Sequence, residues 1–144
     1  MDLNSRIADT LDKAADLYES ETVDWCQGAY VENYSDPEPV RLSVCASQAL
    51  RMACGEKLVW RGQEAGEAPA AWVPARAGMD FSLFKAATTS LGLVDPDTSP
   101  VNGEGNLITW NDQTAGRYIL QERRTKQDVI DLFKNKAKEL RNQS

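Results

Sequence analysis

A chain of 144 residues, 42% hydrophobic and 26% charged, should bury roughly 70% of the surface its unfolded form exposes, so one domain with a real core needs no staples. These fractions exclude a disordered chain, and no apolar run reaches the about 20 residues that would cross a bilayer. The net charge is −6, with ten acids and two bases in residues 1–40 and eight bases against four acids in 117–144; nucleic-acid binding is unlikely for a chain so acidic overall, and the oppositely charged ends are either solvated faces or placed to lie side by side.

Residues 5–19 read as an amphipathic helix, with Ile7, Leu11, Ala14, Ala15 and Tyr18 on one face and Asp9, Asp12, Lys13 and Asp16 on the other. Val23 to Val31 is partly aromatic and β-branched with a glycine inside, which predicts a short extended segment or turn. Pro37 and Pro39 make 35–39 a loop. Residues 43–54 predict a second, central helix, small and apolar nearly all round, with Ser43 as N-cap and Gly55 as its stop. No period is visible in 56–78, where glycine, proline and alanine predict a long surface loop bearing Trp60 and Trp72. A third helix is expected over 80–91, with Phe81, Phe84, Ala87 and Leu91 inward and Gly92 ending it. Residues 93–106 read as a loop, and Leu107-Ile108-Thr109-Trp110 as a short strand before the polar turn Asn111-Asp112. The final helix is signalled by Thr125-Lys126-Gln127-Asp128, a capping box with aspartate in the glutamate position, followed by Val129, Leu132, Phe133, Lys136, Ala137 and Leu140. The expected fold is therefore mainly α: a single compact domain over 1–144 with about four helices and a small two-stranded β element from 28–32 and 107–110.

The chain has three cysteines, Cys26, Cys45 and Cys54, and no histidine. An odd, widely spaced set argues against a disulfide framework and for buried thiols. Without imidazole, Ser-His and Cys-His catalysis are excluded, as are histidine zinc sites, and three thiols cannot make a four-thiolate site. No metal and no cofactor is expected. Gly103-Glu104-Gly105 lacks the strand-to-helix setting of a phosphate loop. The first residues lack the basic start and apolar stretch of a signal peptide, so the expected location is cytoplasmic, without membrane association.

Three short motifs stand in order: Trp25-Cys26-Gln27-Gly28, then Val44-Cys45-Ala46-Ser47-Gln48-Ala49-Leu50, then Trp110-Asn111-Asp112, followed by a threonine-capped helix. The ordered set resembles a family of small uncharacterised proteins of actinobacteria and their phages, with W-C-Q-G, C-A-x-x-A-L and W-N-D motifs and a final helix opening T-x-x-E-V. The likeness runs in patches over roughly 7–137. Here 56–78 is longer than in the family, and Ser47-Gln48 stands where the family has a more apolar pair. The resemblance implies a fold and a phage or actinobacterial setting, which for a phage protein means the host cytoplasm. It implies no chemistry.

Three readings of function follow. The first is a non-enzymatic protein-binding module, which in a phage setting is a factor acting on a host protein, with Trp60, Arg61, Trp72 and Arg76 as interface anchors, because tryptophan and arginine are the favoured anchors of protein interfaces. Gln27, Asn111 and Asp112 would add a polar cluster at one end of the domain, gripping a ligand or a partner's backbone; otherwise they do turn and cap work. The second is an enzyme or small-molecule binder. There Cys45, in the first turn of a helix, is the nucleophile, with Asp112 as base and Asn111 as orienter; otherwise Cys45 is a small packing residue. The third is nonspecific nucleic-acid attachment by the basic last helix. Oligomeric state is open.

Overall fold

The computed structural model describes residues 2–20, 23–27, 31–32, 42–61, 71–74, 78–93, 103–112 and 124–143. It is mainly α. In chain order come α1 (Leu3–Glu19), β1 (Val23–Trp25), β2 (Val31–Glu32), β3 (Leu42–Val44), α2 (Ala46–Ala53), β4 (Leu58–Arg61), β5 (Ala71–Pro74), α3 (Phe81–Ser90), α4 (Gly103–Asn111) and α5 (Lys126–Asn142).

The predicted first helix is α1, capped by Asp2, whose carboxylate accepts from the Ser5 N–H at 2.7 Å. Its apolar face packs most extensively on α5 and also on α2 and α3. The capping box of α5 forms as the sequence predicts: Asp128 N–H donates to Thr125 Oγ1 at 3.2 Å, and Thr125 N–H to the Asp128 carboxylate at 2.8 Å. Val129, Phe133 and Ala137 are fully buried. The acidic start and basic end do lie side by side. Arg141 bridges Asp9 and Asp12, Lys134 pairs with Glu19, and Lys126 with Asp24. The helices therefore run antiparallel.

Five expectations change. The second helix starts later than predicted, because Ser43 lies in β3 and Cys45 is the N-cap. Leu107–Trp110 is helical and not a strand; α4 begins at Gly103, inside the stretch read as a loop, and makes a fifth helix among the described residues. Gly103 lets α4 approach α3 closely, since a Cβ there would stand 2.9 Å from the Thr88 carbonyl carbon. The small β element is thus built differently: β3 is central, parallel to β1 and antiparallel to β2. The stretch 56–78 is no continuous loop, because β4 and β5 pair antiparallel within it, placing Trp60 opposite Trp72 and Arg61 opposite Ala71. Finally, Phe81 is 63% exposed rather than inward, whereas Phe84, Ala87 and Leu91 are buried.

A tight backbone gate flanks the hairpin. Gly55 stops α2 with φ +105°, and a Cβ there would lie 2.6 Å from the Gly78 carbonyl oxygen. Asp80 N–H then donates to the Cys54 carbonyl at 2.8 Å, tying the start of α3 to the end of α2.

Candidate functional site

The motif residues meet around one side chain. The β1–β3 register pairs Trp25 with Val44, and Cys26 N–H extends it by donating to the Val44 carbonyl at 3.3 Å. In a parallel ladder the next bond would run from Ala46 N–H to the Cys26 carbonyl. Asn111 stands between them instead. Ala46 N–H donates to Asn111 Oδ1 at 2.9 Å, and Asn111 Nδ2 donates to the Cys26 carbonyl at 3.0 Å. The carboxamide thus replaces a peptide group in the ladder. Its remaining positions are also filled: Trp25 Nε1 donates to Oδ1 at 2.6 Å, and Nδ2 donates to Asp112 Oδ1 at 2.9 Å. Gln27 Nε2 donates to the Asn111 main-chain carbonyl at 2.9 Å. An amide has two donors and one oxygen with two lone pairs, so this fully buried asparagine is saturated within the chain.

Gln27, Asn111 and Asp112 are therefore together, joined by Trp25. Beside them the Arg124 guanidinium lies 4.2 Å from the centroid of the Trp110 ring, and its Nε donates to the Trp110 carbonyl at 3.3 Å. Burial lowers the Arg124 pKa, partly offset by Asp128.

Cys45 is 4% exposed, and its sulfur accepts from Gln48 N–H at 3.4 Å as the α2 cap. Burial pushes its pKa up to about 11; the backbone N–H groups of Gln48 and Ser47 oppose this, while the charges of Asp112 and Glu104 add to it. At neutral pH it is a thiol, and Asp112 acts on it as a like charge disfavouring the thiolate.

A second polar cluster joins α2, α4 and the turn after α2. Arg51 grips Glu104 with two parallel bonds, Nε to Oε2 at 2.8 Å and Nη2 to Oε1 at 3.0 Å, and reaches Glu56 through Nη1 at 3.2 Å. Ser47 Oγ donates to Glu104 at 2.7 Å and Gln48 Nε2 to Glu56 at 2.9 Å. The guanidinium lies 4.9 Å from the Phe84 ring centroid. Sequence reading missed this cluster, although its signals were visible: one arginine in a helix of small residues, and Ser47-Gln48 where an apolar pair was expected. Those polar residues are the ones that hold the two carboxylates.

Trp60, Arg61 and Trp72 sit in the hairpin, away from both clusters along the chain. Arg76 lies outside the described residues. Among the described residues, no three Cys, Asp or Glu side chains converge as a metal set, and no helix is long and apolar enough to cross a membrane.

A model described as a family of unknown function, DUF6197, matches residues 3–139. The chain belongs to the DUF6197 family. The match runs from α1 to near the end of α5, so the Asn111 junction, the Arg51 cluster and the hairpin all fall inside the DUF6197 region. No curated protein and no solved structure matches the chain. Membership in DUF6197 therefore supplies kinship, and the chemistry must be argued from the residues.

Proposed function

We propose that this DUF6197 chain is a protein-binding module without catalytic activity, and that the β4–β5 hairpin is its contact surface. One observation carries the reading: the hairpin sets Trp60 directly across from Trp72, with Arg61 at the next position. Tryptophan and arginine dominate interface energetics. Phe81 and Leu3 are 63% and 53% exposed, on helix starts linked by the Arg6–Asp80 ion pair. We include their apolar area in the proposed surface.

The setting we propose comes from the motif resemblance: an actinobacterium or its phage, with a host protein in the cytoplasm as target. Support for preferring binding over catalysis is chemical. The sequence has no imidazole, and the Cys45 thiol is buried and held protonated. Nucleic-acid attachment is disfavoured because Arg141, Lys134 and Lys126 are engaged by acids of α1 and by Asp24.

The test compares the wild-type chain with W60A/W72A and with Phe81→Ser in affinity capture from an actinobacterial lysate, alongside thermal melts. Loss of one captured protein in variants that melt like wild type supports the reading. An unchanged capture profile, or unfolding of W60A/W72A, removes the hairpin as contact surface.

A further inference from the structure

The ladder that places Asn111 also places two thiols. Cys26 N–H bonds the Val44 carbonyl at 3.3 Å, so Cys26 and Cys45 each stand one step past the last paired positions, Trp25 and Val44, at the ends of adjacent parallel strands. Neighbouring strands lie about 4.8 Å apart, and residues one step past a pair present their side chains to one face; the Asn111 carboxamide inserted just beyond widens the gap from that value. Disulfides span Cα separations of about 4.4–6.8 Å. Both thiols are buried, at 5% and 4% exposure; Cys26 Sγ donates to the Ser43 carbonyl at 3.4 Å, and Cys45 Sγ accepts from Gln48 N–H at 3.4 Å. Tyr18 Oη donates to the Val44 carbonyl at 2.8 Å, and its pKa is raised first by burial and then by the charges of Cys45 and Cys26. Cys54 caps the opposite end of α2, in a setting shaped by Asp80 and Lys13.

We propose that Cys26 and Cys45 are a redox pair that closes to an intrachain disulfide under peroxide. One thiol, as its thiolate, attacks a peroxide oxygen; the O–O bond breaks, a sulfenic acid forms, and the leaving hydroxide takes up a proton as water. The second sulfur then attacks the sulfenic sulfur. The S–S bond forms, the S–O bond breaks, and a second water leaves with the thiol proton. Two thiols are oxidised by two electrons in all, and one peroxide is reduced to two waters. Burial makes the first step slow at neutral pH and faster as pH rises. The bond would latch the end of β1 to the cap of α2, on either side of the Asn111 carboxamide. This inference is independent of the protein-binding reading.

The experiment treats the full chain with hydrogen peroxide at pH 8, blocks remaining thiols with iodoacetamide, and maps linkages by mass spectrometry. The same treatment in urea shows what the unfolded chain does. The expected result is a fall from the three free thiols to one, a Cys26–Cys45 linked peptide, and a melting midpoint raised by roughly 5 °C and reversed by dithiothreitol. Cys54→Ala should form the same link, and Cys26→Ala should form none. Three persisting thiols, links through Cys54, or links between chains would overturn the proposal. If Cys26→Ala does not fold, the linkage map of the wild-type chain still decides.

Discussion

Asn111 does work for the backbone that no backbone group does. Its oxygen takes the first free N–H of α2 and the Trp25 indole, while its nitrogen serves the Cys26 carbonyl. Asn111→Ala takes the Asn111 partner away from each of those three groups, at about 1–3 kcal/mol each for the buried ones. We expect a loss of roughly 3–5 kcal/mol in urea unfolding; a loss under 1 kcal/mol would show that water or a rearrangement replaces the amide. The thiols give a pH prediction. Burial raises Cys45 to about 11 and Cys54 to about 12 from an ordinary value of 9.0. Above the unfolded value, the unfolded chain has lost protons that the folded chain still holds, so stability falls as pH rises. It should be level below about pH 9 and decline between pH 9 and 12, with Cys54→Ala declining less steeply in melts across that range. Gln27, Asn111 and Asp112, singled out in the sequence because they follow tryptophans, are joined by hydrogen bonds in the structure. The sequence could not show the bonds between residues 26, 46 and 111, because those depend on a strand register that no local pattern encodes.

At the level of elements, legibility followed the surface. The helices α1 and α5 have one wet and one dry face, and the 3.6-residue period shows them plainly. The α4 segment does not, because Gly103 to Asn106 is composed like a turn and Leu107 to Trp110 like a strand. What makes it helical is packing on α3 and α2, with Leu107 fully buried and Glu104 held by Arg51. The hairpin hid in 56–78 because Ala, Gly and Pro carry little β signal. Two predictions belong here. Arg51→Met removes the shared partner of Glu104 and of Glu56, which is almost wholly buried; breaking such a pair from one side should cost roughly 3 kcal/mol in urea unfolding. Gly55→Ala should also destabilise, because the left-handed backbone and the Gly78 carbonyl leave a methyl no room. A melting point equal to wild type would contradict the gate geometry.

For the whole molecule, charge orients and burial stabilises. The α1–α5 seam has ion pairs at its rim and Leu11, Phe133 and Ala137 buried at its centre. Exposed pairs are screened by salt, whereas buried area is not. Raising salt from about 0.05 to 0.5 M should therefore shift the melting point only slightly, while Phe133→Ala should cost about 3–5 kcal/mol. The reverse ordering would make electrostatics the main glue of the seam. Single-sequence reading reached the mainly α architecture because the first and last helices carry most of its amphipathic signal. The side chain of Asn111, seated as a rung of the sheet, has a consequence for biosynthesis. A ribosome delivers residues 26 and 46 long before residue 111, so the emerging chain lacks the carboxamide that joins them through more than sixty further additions. The keystone arrives late, and a nascent chain stalled ahead of it would present that unjoined segment to chaperones and proteases.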